Sequence, residues 1–481
     1  MIAKPSAIIR KILPKNQFAR GVSILVGGTA GSQLLAICAA PVVTRLFSPA
    51  DFGVLAVYAG LLGLFTVIAS LRYELAILLP EDNQEAADTA TLSLLVVVAV
   101  SVLSIIIVFL GDESIPTLLG VPVLSHYFWL LPIGLLLVGI YQVFNYWALR
   151  TKNFTVITGA RLKQSLTSIA IQLLGYPLGP VALLISHAAG QGMGVFSLGK
   201  AALRYPQFRH VSFSGIVAAA KRYRQFPIYS TWAGLLNSGG NQLPSLMFAA
   251  LFSPAAAGLY ALTSRVLNMP MIMIGSAIGN VFFTNLAEAH REKRLPQLVA
   301  AVQEKLAHVV MPPTLVLLIA GPQLFAFVFG ESWREAGIFS QWMAPWLYVV
   351  FITSPLGALF DVLERQQQEL IFETALFITR IATIAVGALI GDLITTVALF
   401  SLGSMLCWLG YLLWITVSSG NPARSLIKPT VTALAWGALC MTPLALSVWL
   451  PLNRNLWFYG LALTGVLVGM RLYFSFYKEQ P

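Results

Sequence analysis

Arginine in the middle of an apolar run is the placement in this chain that most asks for chemistry. Six basic side chains stand inside hydrophobic segments: Arg72, Arg161, Lys163, Arg265, Lys305 and Arg380. Lys305 lies close enough to a segment end for its ammonium to reach water along its own stem, and Arg72 and Lys163 are similarly placed. Arg265 and Arg380 lie about ten or more residues from either end of their segments, too deep for that escape. A buried charge is expensive, and its usual resolution is a partner or a hydrated cavity. A guanidinium stays charged and offers a planar fork of donors that fits a phosphate, as an ammonium does not. Arg265, five residues before Pro270, is therefore the leading candidate to meet an anion, and an ion pair with Glu373 or Glu74 is the alternative.

Other polar residues fall into patterns. Glu373 and Arg380 are seven apart and share a helical face, roughly 10 Å along the axis, so each needs a further partner or a ligand. Arg72 and Glu74, two apart, cannot share one face; at the inner end of their segment they suit a headgroup or a gate. Arg161, Gln164, Ser168 and Gln172 form one helical stripe, and Ser230, Gly234, Asn237 and Asn241 form another. Such stripes line a cavity or bond a neighbouring helix. His187 and Gln191 are one turn apart, and a lone histidine there reads as a packing residue rather than a proton carrier.

These residues need a scaffold, and composition names it. The 481 residues are 57% hydrophobic and 10% charged, where soluble domains carry roughly 25% charged residues. The chain reads as an all-α integral membrane protein. Apolar runs of about 20 residues predict fourteen spans, near 21–45, 52–79, 88–111, 123–149, 154–175, 178–201, 227–252, 256–287, 299–320, 336–361, 367–390, 393–418, 429–450 and 455–476. Placing both termini in the cytoplasm puts 21 of the 30 basic residues inside and only Arg45, Arg334 and Arg454 outside, as short cytoplasmic loops require. The net charge of +11 then serves topology and anionic headgroups rather than nucleic acid. The first run is too long for a cleaved signal peptide. Cys38, Cys407 and Cys440 lie in apolar runs and read as small buried packing residues. No metal, phosphate-loop or hydrolase motif stands in a usable context, so neither an enzyme nor a cofactor is expected.

The stretch LFSPADFGVLA from Leu46 returns as LFSPAAAGLYA from Leu251, with seven of eleven positions identical. Both copies fall at an exterior break after the first helix of a six-helix group. This predicts a basic tail (1–20), an N-terminal lobe (21–203), a cytoplasmic linker (204–226), a C-terminal lobe in parallel repeat (227–418) and an extra helix pair (429–476). The copies differ where Arg45 and Asp51 face Ala250 and Ala256. Arg45, Asp51 and Pro270 are the candidate gate or hinge positions.

The sequences TRLFSPADFGVLAVYAGL, LRYELAILLPEDNQEA, ALRTKNF, AAAGLYALTSRVLNMP and VFGESWREAG resemble polysaccharide exporters. These are the Wzx-type flippases of the multidrug/oligosaccharidyl-lipid/polysaccharide superfamily, and the likeness runs over residues 20–420. It implies two six-helix lobes around a cavity in a bacterial cytoplasmic (inner) membrane. It further implies alternating access for an undecaprenyl-pyrophosphate-linked oligosaccharide, an O-antigen (lipopolysaccharide), capsule or exopolysaccharide unit. Arg265 matches a cavity-facing arginine of the related lipid II flippase, in which the extra helix pair forms a groove for the lipid tail. On this reading Arg265, Arg380, Arg72, Glu74, Arg161, Asn237, Asn241, Asn268 and Glu373 line the substrate cavity. Partners would be the lipid-linked glycan, membrane lipids, a polysaccharide polymerase and a chain-length regulator, and no nucleic acid. Coupling to a proton or sodium gradient would take the place of ATP. The alternatives are a cation/drug antiporter of the same superfamily, disfavoured by the arginines, and a membrane glycan polymerase or ligase, disfavoured by short exterior loops.

Overall fold

The computed structural model describes residues 17–111, 113–270, 286, 289, 291–357, 359–363, 365–449 and 456–477. Most of the predicted basic tail, the second half of the eighth predicted span, and Arg454 and Lys478 lie outside these residues. The described chain is all-α: α1 (Gln17–Leu46), α2 (Pro49–Ala69), α3 (Asn83–Gly111), α4 (Leu130–Arg150), α5 (Phe154–Leu174), α6 (Pro180–Ala202), α7 (Thr231–Leu251), α8 (Pro254–Pro270), α9 (Leu295–Phe329), α10 (Arg334–Thr353), α11 (Gln366–Ile390), α12 (Leu393–Ser418), α13 (Ile427–Trp449) and α14 (Leu456–Tyr477). Among the described residues ten of these helices are long and apolar enough to span a bilayer. Two of the other four, α5 and α7, are the helices that carry the polar stripes.

The chain divides into two compact units, Met1–Gly258 and Leu259–Pro481. In the first, α5 packs on α1 and α6, α4 on α3 and α6, and α2 on α4, α6 and α7. In the second, α10 packs on α9 and α12, α11 on α12, and α13 on α9 and α14. Aromatic stacking fills one part of that core, with the Phe360 ring 4.1 Å from Trp414 and 5.0 Å from Tyr411.

The repeated motif is a helix start in both copies. Proline stands at the first position of α2, where its missing N–H costs nothing. Ser48 caps the helix: its hydroxyl accepts from Asp51 N at 3.2 Å, and Asp51 Oδ2 accepts from Ser48 N at 2.9 Å. The second copy has only half of this box, Ala256 N donating to Ser253 Oγ at 3.1 Å. Asp51 is thus engaged in capping its own helix, and the exposed Arg45 donates to Pro41 O at 3.2 Å one turn back. Ser48→Ala is expected to lower stability by about 1 kcal/mol, and Ser253→Ala by less, as thermal unfolding in nanodiscs would show.

Three helix boundaries depart from the sequence reading. The second span was expected to run to residue 79, but α2 stops at Ala69 and the chain passes through Leu71 and Arg72 at φ 50° and 63° before a single turn, Tyr73–Ala76. Nothing in the apolar run SLRYELAILL signals that break. The fourth helix starts at Leu130 rather than 123, because Pro122–Tyr127 winds as a 3-10 turn. The ninth span was expected to end at 320; α9 instead bends at Ala320 (φ −125°, ψ 17°), two residues before Pro322, and runs on to Phe329. Proline disfavours helical geometry just before it, and here Pro322 rather than the Pro312–Pro313 pair marks the bend.

Between the sixth and seventh spans an amphipathic linker helix, Phe213–Arg222, lies on α3. Ser212 caps it, Arg222 pairs with Glu85 at 2.6 Å, and the Tyr223 hydroxyl donates to Glu85 at 3.0 Å. Burial, with the Glu85 carboxylate beside it, pushes the Tyr223 phenol above its ordinary value.

Candidate functional site

In the first unit, the broken end of α2 gathers the first polar cluster. Because the helix stops at Ala69, Arg72 and Glu74 are released from the geometry that would separate them. Arg72 Nη1 lies 3.8 Å from Glu74 Oε1, with the carboxylate buried and also accepting from Ser70 Oγ. The expectation that these two residues face apart is corrected by the left-handed turn between them. Tyr146 of α4 stands within electrostatic reach of both charges. Gln142 Oε1 and Asn145 Oδ1, on the same helix, are buried with no hydrogen-bond partner among the described residues. These three residues went unnoticed in the sequence, although Gln142, Asn145 and Tyr146 are spaced i, i+3, i+4 in an apolar run.

Arg72 also closes a seam. The α7 helix descends antiparallel to α2, and glycines let the two meet. Ser238 Oγ donates to Gly63 O at 3.1 Å, and a Cβ on Gly234 would fall 2.4 Å from the Arg72 guanidinium. Asn237 and Asn241 occupy the other side of α7 and are exposed, with Asn241 Nδ2 donating to Asn237 O at 3.1 Å. The α7 stripe is therefore divided, Gly234 against α2 and the two asparagines away from it, while Ser230 lies in the turn before the helix starts at Thr231.

The α5 stripe turns toward its neighbours. Arg161 Nη1 donates to Thr29 Oγ1 of α1. Ser168 Oγ donates to Ser186 O at 2.9 Å and Gln172 Nε2 to Ser186 Oγ at 3.1 Å, both on α6. His187 meets the ring of Tyr58 edge-on at 5.9 Å. Of the cysteines, Cys440 is buried and Cys407 half-buried, but Cys38 is exposed on α1, a correction to its reading as a packing residue. No group of three potential metal ligands occurs among the described residues.

In the second unit, α8 turns Leu259, Leu262 and Thr263 inward. Thr263 Oγ1 donates to Ala336 O of α10 at 3.0 Å. That register leaves Arg265 exposed, with half-buried Asn268 three residues on and along the same face. No hydrogen bond or ion pair to a described residue holds the Arg265 side chain. Pro270 is the last described residue of α8. Arg380 of α11 is half-buried, its guanidinium carbon 5.5 Å from the Trp346 ring centroid. Tyr260, Glu373 and Cys407 lie within its electrostatic reach. Trp346 in turn packs edge-on against Phe400 at 5.5 Å, as does Tyr260 at 5.7 Å. Glu373 is exposed two turns before Arg380, so the partner expected for Arg380 is in part an aromatic face. Beyond Trp346 an apolar cavity of about 410 Å³ opens between α10 and α12, lined by Trp342, Pro345 and Leu402 among others.

Exposed Arg265 and half-buried Arg380 in the second unit, and half-buried Arg72 beside the buried amides of α4 in the first, are groups that can bind and release a polar anion. Comparison with solved structures gives the fold. The chain is similar to the lipid II flippase MurJ in an inward closed conformation, with TM-score 0.76 and 12% identity over 95% of this chain and 99% of that one. It is similar to an inward-facing multidrug resistance MATE family transporter of the MOP superfamily, with TM-score 0.65 and 14% identity over 82% of this chain and 96% of that one. A Vibrio cholerae MATE transporter matches with TM-score 0.54 and 13% identity over 86% and 97%. None of the curated proteins matches in sequence. The family model described as polysaccharide biosynthesis protein matches residues 42–337, well over half of the chain. The chain belongs to the polysaccharide biosynthesis protein family.

Proposed function

We propose that this protein is a flippase that carries an undecaprenyl-pyrophosphate-linked oligosaccharide, an O-antigen, capsule or exopolysaccharide unit, from the inner to the outer leaflet of a bacterial cytoplasmic membrane by alternating access. The observation that carries this reading is Arg265: a guanidinium five residues before the last described residue of α8, exposed, hydrogen-bonded to no described residue, in a chain of a polysaccharide biosynthesis family. A diphosphate crossing about 30 Å of hydrocarbon needs a cation on its way, and Arg265 offers one without a competing carboxylate pair. Asn268 beside it, and Asn237 and Asn241 on α7, offer amide groups to a glycan. Arg380 and the Arg72–Glu74 pair supply further charge, the second at the cytoplasmic end if both termini are cytoplasmic. The fold shared with a flippase and with transporters supports movement between two lobes rather than catalysis.

The sequence has no ATP-binding loop, so the drive would come from an ion gradient or from the membrane potential, which contributes about 2.3 kcal/mol per charge per 100 mV and, with a negative interior, favours outward movement of an anion. The test is reconstitution into proteoliposomes with a fluorescent pyrophosphate-linked glycolipid whose outer-leaflet pool is read by an impermeant quencher. Flipping by the wild-type protein is expected. Efflux of a cationic drug with no glycolipid movement would replace this reading with the antiporter.

A further inference from the structure

The C-terminal helix pair carries a cationic cleft that the transport reading does not use. Arg471 stands inside α14, six residues before Tyr477, or roughly 9 Å from the helix end. Its guanidinium carbon lies 4.6 Å from the ring centroid of Trp436 on α13. His308 of α9 is within electrostatic reach of it. These three side chains, with Gly437 and Cys440, bound a cleft of about 20 Å³, room for roughly one water-sized group, such as a single phosphate oxygen. Arg471 Nε is buried in it with no hydrogen-bond partner among the described residues. Glu304, one turn before His308, is exposed, and no ion pair joins a described carboxylate to Arg471.

The surroundings narrow the ligand. Exposed Lys428 and Arg424 mark the same end of the pair, so the local field favours an anion. Beside the cleft, Leu463, Val466 and Met470 of α14 and Leu434 and Leu439 of α13 are exposed, a surface suited to hydrocarbon chains. The cleft is too small for a sugar. Basic pockets between membrane helices bind anionic headgroups. We propose that Arg471, Trp436 and His308 hold the phosphate of an anionic diacyl phospholipid, whose chains lie along α13 and α14. This inference is independent of the flippase reading.

The full-length protein in neutral detergent, titrated with phosphatidylglycerol or phosphatidylcholine and weighed by native mass spectrometry, tests it. The wild type is expected to retain phosphatidylglycerol in preference, Arg471→Gln to weaken that retention about fivefold, and Arg471→Lys to keep most of it. Cys440→Leu, which fills the cleft and alters no charge, is expected to weaken it as well, so a decision stands even if the glutamine variant fails to fold. Equal retention of both lipids by the wild type, or undiminished retention by both weakening variants, overturns the proposal. So does displacement of the lipid by an equal concentration of inorganic pyrophosphate, which would mark a free-phosphate site. Retention of undecaprenyl diphosphate with none of phosphatidylglycerol would assign the cleft to the transported lipid instead, and overturn it equally.

Discussion

Arg265→Ala lowers flipping of a pyrophosphate-linked glycolipid by about ten- to a hundredfold, the expected loss of hydrogen bonds to a charged group worth about 1.5–3 kcal/mol. The prediction concerns function and not folding, because the side chain is exposed and bonded to no described residue while α8 is anchored by Thr263 and the inward face around Leu259 and Leu262. Thermal unfolding of the variant should therefore match the wild type. Arg265→Lys keeps the charge but not the planar fork and should recover only part of the rate. A full rate in the alanine variant, measured in the same proteoliposomes, would remove this arginine from the mechanism. If the alanine variant instead loses both rate and stability, the side chain holds the protein together.

Gly53→Ala is the second large effect, and it acts on stability. A Cβ at Gly53 would fall 1.7 Å from Pro254 O, and one at Gly258 would fall 1.9 Å from Pro49 O. Each copy of the repeated motif thus rests a glycine on the proline carbonyl of the other, and all four residues belong to the first unit. The obstacle in each case is backbone, which cannot swing aside as a side chain would. Overpacking of this kind costs about 1–3 kcal/mol, and the rigidity of both helix starts points to the upper end. Gly63→Ala provides the control: its Cβ would meet the end of the flexible Gln242 side chain, and the loss should be smaller. Thermal unfolding in nanodiscs ranks the three, and a Gly53→Ala protein as stable as the wild type would refute the crossing. The double variant Gly53→Ala with Gly258→Ala should lose less than the sum, since one displacement relieves both contacts.

Much of this architecture was legible in the sequence because hydrocarbon imposes a coarse rule. A helix must stay apolar for about 20 residues, so α3, α6 and α12 announce themselves. Breaks were legible where Pro, Gly or Asp ends a helix, as in the two LFSPA motifs. The break at Leu71–Arg72 was not, because SLRYELAILL holds no Pro, Gly or Asp to mark a left-handed turn. Pairing was also hidden. Periodicity shows that Gln172 and Asn241 stand on polar stripes, but only the packing shows that Gln172 bonds Ser186 while Asn241 is exposed. The odd Asp51 of the first motif copy, which suggested a gate charge, is part of a capping box whose geometry a single sequence can only hint at. The setting of Arg471 was hidden for the opposite reason: a charge near a helix end counts only as one more inner-side charge until a tryptophan is found beside it.

The α2–α7 seam also bears on how the chain is made. Its two sides are separated by about 160 residues, which a ribosome adding roughly 5–20 residues per second needs about 8–30 s to synthesise. Throughout that interval α2 is in the membrane without its partner, its glycine row against lipid and the Arg72 guanidinium lacking the Gly234 backbone it will rest on. The order of synthesis therefore makes α7 the helix whose arrival completes the first unit, and a nascent chain truncated before Thr231 should be degraded faster than one extended past Gly258.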